Sequence, residues 1–175
     1  MLVSRIETQI GTMIAGSVEE GICMFEFSDR NTLEAEFSDI KKYLQQEITE
    51  GENTHIKNLR IQIDEYFSGI RKVFDIPLVI HGTVFQKMVW NELLKIPYGS
   101  TISYRQQADA LKSPLSIRAV AGANGMNRTA IIIPCHRVIG SNGSLTGYGG
   151  GLHRKKWLLD HEKKHSGLPF DNTLF

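Results

Sequence analysis

Apolar residues in the first half of the chain follow two spacings. The runs at 10–14 and 22–27 are short, and they flank Ser17-Val18-Glu19-Glu20-Gly21, which predicts two strands on either side of a turn. Leu33, Phe37, Ile40 and Leu44 then recur at helical intervals among polar residues, predicting an amphipathic helix over 31–47. A polar loop at 50–54 leads to a second predicted helix over 56–68, which would bury Leu59, Ile63, Tyr66 and Phe67. Residues 73–80 read as extended, with Pro77 confining them to an edge or an irregular strand. This half therefore predicts an α/β domain.

The second half is mainly helical by pattern. Thr83-x-x-Gln86 is a capping box, and Phe85, Met88, Val89, Leu93 and Ile96 follow at helical spacing until Pro97-Tyr98-Gly99. Ser103-x-x-Gln106 opens a second, short helix to about Leu111. Ser113-Pro114 supplies an N-cap and a first-turn proline for a third, which should stop at Asn124-Gly125. Two short helices joined by a tight turn fit a helix-turn-helix whose second helix carries Arg118. Its small residues Ala119, Ala121, Gly122 and Ala123 suit close approach to a groove, and equally suit packing on another helix. Residues 131–133 read as a short buried strand, 140–151 as a glycine-rich loop without charge, and Trp157, Leu158 and Leu159 as marks of a last helix. Glu162, one turn beyond Leu158, falls on the core side of that helix and needs a partner.

Charge sharpens the division. Residues 1–80 carry eight Lys and Arg against fourteen Asp and Glu, whereas 81–165 carry twelve against four. A basic second half suits a polyanion. The 175 residues, 41% of them hydrophobic, suffice for a real core, and no apolar run is long enough to span a membrane. The N-terminus lacks a secretory signal pattern, and two cysteines make a poor disulfide framework, so a reduced, cytoplasmic protein is expected. Cys23, between Ile22 and Met24, reads as a core thiol, and with it alone in the first half no thiolate-rich metal site is expected. His153, His161 and His165 read as surface or helix-end residues.

Candidate chemistry concentrates at Pro134-Cys135-His136-Arg137-Val138, where a cysteine beside a histidine follows an apolar run. The surrounding residues carry a resemblance. In order they are Gly82-Thr83-x-Phe85-Gln86-x-x-Val89-Trp90, Ile96-Pro97-x-Gly99, Ser103-Tyr104, Arg118-Ala119-Val120 and Asn127. The Pro-Cys-His-Arg-Val motif, Gly147-Tyr148, Lys155 and Leu158-Leu159-x-x-Glu162 complete the series. Together they span the second half, which resembles the O6-alkylguanine-DNA alkyltransferase family, also called methylated-DNA–protein-cysteine methyltransferase. The first half is similar to that family's N-terminal domain through Ile10-Gly11 and the Gly21 to Phe27 stretch, and the layout resembles the repair half of Ada-type proteins.

The resemblance implies an RNase H-like α/β domain at 1–80, a winged-helix-like domain with a helix-turn-helix at 81–166, and a tail at 167–175. It implies DNA repair by irreversible, single-turnover transfer of an alkyl group from guanine O6, and less readily thymine O4, to Cys135. No cofactor or metal is expected; the partner is double-stranded DNA, and the protein acts as a monomer. Catalysis falls to Cys135, to His136 as a base acting through a water, to Glu162, which orients His136, and to Asn127 and Tyr104. DNA contacts are expected from Arg118, which would enter the stack vacated by the flipped base, and from Tyr104, Arg105 and Ser113. Val138, Tyr148 and Gly149 are expected to line the base pocket, and Arg137 to be structural. Arg128 stands where many relatives have proline, and Gly149 where some have serine. The alternative is a regulatory helix-turn-helix protein without chemistry.

Overall fold

The computed structural model describes residues 1–111 and 117–167, which divide into two compact units: Met1–His81 with Arg128–Ile132, and Gly82–Asn127 with the chain from Ile133 onward. No helix among these residues is long and apolar enough to cross a membrane.

The first unit is α/β. Strands β1 (Leu2–Thr8), β2 (Gly11–Val18), β3 (Gly21–Phe27) and the two-residue β4 (Thr49–Glu50) form a sheet in the order β3-β2-β1-β4. Helix α1 (Leu33–Leu44) packs on β3, and α2 (Thr54–Phe67) lies across β1, β2 and β3. Every residue of β3 is buried, which explains its unbroken apolar run. Ile56, Leu59, Ile63, Tyr66 and Phe67 supply the buried side of α2, whose N-terminus is capped by Asn53 accepting from the Ile56 N–H.

One strand was not expected, and two expectations are corrected. β1 has no apolar run because only Ile6 of its seven residues is buried; its register on β2, through a tight turn containing Ile10, makes it a strand. Residues 73–80 form no strand: Pro77 accepts from Ile22 N, Val79 donates to Ile22 O, and a single bridge at Leu78 results. Residues 131–133 are buried but turn rather than extend. Ala130 N–H bonds the Phe25 carbonyl at the β3 edge, after which Ile131 adopts φ 72° and the chain leaves. A β-branched residue in that region is strained, and complete burial of Ile131 holds it there. Arg128, the residue in the proline position, bonds Asp39 of α1 at 2.8 Å.

Two buried groups of this unit have shifted titrations. Cys23 is a free core thiol pushed up to about 11 by burial. Glu26 is buried beside Arg30, which bonds it and also reaches Glu36 at 3.0 Å. Burial pushes Glu26 up to about 7, Arg30 pulling against it and Glu36 adding to it.

The second unit is mainly helical: α3 (Val84–Leu93), α4 (Tyr104–Ala110), α5 (Ile117–Gly125) and α6 (Leu152–His165), with β5 (Ile102–Ser103) paired in parallel to β6 (Val138–Ile139). Both predicted capping boxes form, Thr83 with Gln86 and Ser103 with Gln106. α4 and α5 make the helix-turn-helix pair, locked by buried Gln107 and Asn124, whose side-chain amides bond each other at 2.7 and 3.2 Å. Trp90 ties α3 to α5 through the Ala123 carbonyl at 2.8 Å. The Ser113-Pro114 start of α5 lies outside the described residues.

Candidate active site

Cys135 begins a single 3₁₀ turn, Cys135–Arg137, that runs straight into β6. The turn aims His136 and Arg137 at one residue of α6 and leaves Cys135 to Asn127. On α6, Lys155, Leu158, Leu159 and Glu162 share one face by their spacing, and all four are buried.

Glu162 is the hub. Its Oε1 accepts from His136 Nε2 at 2.7 Å and from Arg137 Nη2 at 3.0 Å. Its Oε2 accepts from Arg137 Nε at 2.9 Å and the Gly99 N–H at 3.0 Å. Arg137 also donates to the Ile96 carbonyl at 2.7 Å. Burial alone would raise the Glu162 carboxyl, but the His136 ring and the Arg137 guanidinium outweigh it and hold it ionised. Gly99 has φ 75°, and a Cβ there would sit 2.5 Å from Ser166 Cβ, so the donor position requires glycine.

His136 is wholly buried, and burial favours its neutral form despite the nearby carboxylate. With Nε2–H given to Glu162, the lone pair of a neutral ring falls on Nδ1. Nδ1 is buried and has no hydrogen-bond partner among the described residues. The ring is thus set up as a base, not as a permanent cation.

Asn127 donates through Nδ2 to Cys135 Sγ at 3.3 Å and to the Ile133 carbonyl at 2.8 Å. Such a donor favours the thiolate. Tyr104, the first residue of α4, donates its hydroxyl to the Thr146 and Gly147 carbonyls at 3.1 and 3.2 Å. Burial and then the Cys135 charge push its phenol up, so it remains protonated. Gly147 has φ 54°, and a Cβ would crowd the Tyr104 hydroxyl at 3.2 Å.

The remaining predicted residues lie as follows. Val138 is buried, and its carbonyl accepts from Lys155 at 2.6 Å. Tyr148 is half-buried, with its ring edge-on to His136 at 6.4 Å, and Gly149 is exposed. Arg105 on α4 and Arg118 on α5 are both exposed, apart from the buried cluster. Ser113 lies outside the described residues. Gly122 and Gly125 of α5 have open space where a Cβ would go, so neither small residue is needed for packing, while Ala123 is packed. His161 is a correction: it is buried and stacks on Trp157 at 4.9 Å.

Two residues named in the sequence reading were given no contacts there. Arg137 was expected to be structural, and it holds Glu162 by both oxygens. Lys155 is wholly buried and donates to three carbonyls; its place on the apolar face of α6, one turn before Leu158 and Leu159, was the available signal.

Family models match almost the whole chain: the ribonuclease-like domain of 6-O-methylguanine DNA methyltransferase over residues 1–80, and its DNA binding domain over 84–164. The methylated-DNA–protein-cysteine methyltransferase of Methanosarcina barkeri is 39% identical over 168 residues, spanning 94% of this chain and 99% of that protein. The chain belongs to this methyltransferase family. The enzyme of the same name from Mycobacterium tuberculosis is 54% identical over 114 residues, 65% of this chain and 68% of that protein. Among solved structures, Mycobacterium tuberculosis OGT in complex with DNA superposes with a TM-score of 0.82 at 36% identity, covering 94% of each chain. The O6-methylguanine methyltransferase of that organism gives 0.81 at 38% identity, over 99% of this chain and 98% of that one. Within the methyltransferase family, an α/β ribonuclease-like domain followed by a helical DNA-binding domain is therefore this chain's architecture as well.

Proposed function

We propose that this protein repairs DNA by moving the alkyl group of O6-alkylguanine onto the sulfur of Cys135. Repair by alkyl transfer is the activity of its family; the choice of residues is carried by one observation. Cys135 Sγ is hydrogen-bonded by Asn127, and the neighbouring His136 is neutral, oriented by Glu162 and left with a lone pair on Nδ1.

The chemistry follows from that arrangement. His136 takes the thiol proton, through a water by family resemblance, and Glu162 stabilises the imidazolium that forms. The thiolate attacks the alkyl carbon; the S–C bond forms as the C–O6 bond breaks, and the electron pair leaves on guanine. Tyr104, still protonated, supplies a hydrogen bond to the leaving guanine anion, which takes up one proton as the His136 imidazolium gives up the one it took from the thiol. The product thioether is not displaced by water at neutral pH, so each molecule reacts once and needs no cofactor. The same attack on thymine O4 would be slower.

O6 lies in a groove while the sulfur is buried, so the base must leave the stack, at a cost of about a few kcal/mol. α5 is the reading helix: its exposed Arg118 fills the gap, and the open faces of Gly122 and Gly125 let its backbone come close. Arg105, and Ser113 by its sequence position, add backbone contacts, and Tyr148 and Gly149 flank the base. Two free thiols suit a reducing compartment, the cytoplasm, and a monomer suffices for one lesion. A purely regulatory helix-turn-helix protein would have no use for the Asn127–Cys135 and His136–Glu162 pairs.

The deciding experiment incubates the protein with duplex DNA carrying one O6-methylguanine and weighs the intact chain. A gain of one methyl, about 14 Da, is expected in wild type and not in Cys135→Ser. No gain in wild type would overturn the proposal.

A further inference from the structure

Lys155 presents an unusual charge balance. Its ammonium is wholly buried, and its three N–H groups go to the carbonyls of Val138 and Thr146, each at 2.6 Å, and Gly147 at 3.2 Å. These acceptors are neutral, so the hydrogen bonds satisfy the donors and leave the positive charge unbalanced. A buried charge without a counter-charge is costly.

The charged and titratable groups around it narrow the choice of anion. From α4 comes Tyr104, whose ring centre is 5.6 Å from Nζ and whose phenol stays protonated. From the 3₁₀ turn come Cys135, His136 and Arg137; burial favours the neutral form of His136, and Arg137 is bound to Glu162. Glu162, the carboxylate of the same α6 face, is held by His136, Arg137 and Gly99. Within this group the Cys135 sulfur is the remaining site able to carry a negative charge opposite Lys155. Lys155 bonds the Val138 carbonyl at 2.6 Å, at the end of the turn that Cys135 begins; burial pushes Lys155 down to about 8, and the Cys135 charge acts to raise it.

We infer that Lys155 is the counter-ion of the Cys135 thiolate, a positioning residue whose buried charge holds the sulfur in its nucleophilic form. The inference rests on Cys135 being the alkyl acceptor. It also gives Tyr104 freedom to act. Because Lys155 already bonds the Thr146 and Gly147 carbonyls, the Tyr104 hydroxyl can turn to a bound base without leaving either acceptor unpaired. Once the sulfur is alkylated and neutral, Lys155 loses its counter-charge.

The test measures the rate of Cys135 alkylation by iodoacetamide against pH, in wild type and Lys155→Met, with the modified peptide identified by mass. An opposite charge in the same buried cluster lowers a thiol's titration midpoint, so the variant's midpoint should rise by about one unit. At a pH below both midpoints its rate should fall about tenfold. An unchanged midpoint in the folded variant would overturn the inference, because loss of three structural hydrogen bonds alone would not move it. A second measurement needs no change at Lys155: titration of its ¹³Cε signal in wild type and Cys135→Ser. Its midpoint should fall when the sulfur is removed, and no movement would also overturn the inference. Neither measurement uses alkylated DNA, so failure of Cys135 as acceptor would appear only in the mass-gain experiment.

Discussion

Arg137 grips Glu162 by both carboxylate oxygens, at 2.9 and 3.0 Å, and shares Oε1 with the His136 ring. A bidentate guanidinium fixes the plane of the carboxylate, and with it the imidazole that donates to it. Arg137→Lys keeps the charge and loses the fork. It should lower stability in thermal unfolding and slow single-turnover repair. Arg137→Ala should cost about 3–5 kcal/mol by leaving Glu162 short of its cation. A variant as stable and as fast as wild type would refute the role.

Asn127 donates to the sulfur it is proposed to activate. A hydrogen bond to a charged group contributes about 1.5–3 kcal/mol, so Asn127→Ala should slow methyl transfer roughly 10- to 100-fold. Asn127→Asp, which places an acceptor against the sulfur, should be slower still. Rapid-quench kinetics on a methylated duplex would check the order.

The acid side of the rate profile should lie lower than an ordinary histidine would set it. Burial depresses the His136 value below 6.5, so its base form persists as pH falls through that point. Single-turnover rates measured down the acid limb should therefore hold up below pH 6.5, with loss of rate beginning further down. A limb centred above that value would contradict a neutral buried base.

Glu26 gives a separate dependence in stability. Its folded value, about 7, is above the 4.5 of the unfolded chain, so its contribution is complete below 4.5 and is lost as pH rises through about 7. Glu26→Gln should flatten the change in unfolding free energy across that window, a change of up to about 3 kcal/mol in wild type. Chemical denaturation at pH 5 and pH 8, flanking that midpoint, tests it: an equal slope in both proteins would exclude Glu26 as the source.

Gly122 separates folding from DNA binding. No atom lies within 4 Å of the position a Cβ would take, so Gly122→Ala should raise stability by about 0.5–1 kcal/mol. Gly122→Glu should fold equally well yet weaken DNA affinity and leave iodoacetamide reactivity of Cys135 untouched. Undiminished DNA binding by Gly122→Glu would remove α5 from the interface.

Local signals explain what the chain disclosed and what it withheld. Thr83 and Ser103 announced their helices because a capping box is complete within four residues. That Glu162 needs a partner was legible because a carboxylate on an apolar helix face demands one; that the partner is His136 came with the family resemblance. Ile131 misled, since nothing in a run of three isoleucines reveals that its first residue must turn left-handed. β1 was hidden for the opposite reason, being held by its neighbour's backbone and not by an apolar face. Arg137 next to His136 gave no hint that both side chains converge on one carboxylate, because that depends on the tight turn they share.

Cys23, packed in the core and held protonated to about 11, has a consequence at the scale of the cell. With one thiol silenced, each molecule offers a single reactive cysteine to an electrophile, and a spent molecule has no second one to fall back on. Repair capacity between rounds of synthesis is then a head count: the number of lesions removed cannot exceed the number of chains on hand. Protection against a burst of alkylation would be set by how quickly new protein is made.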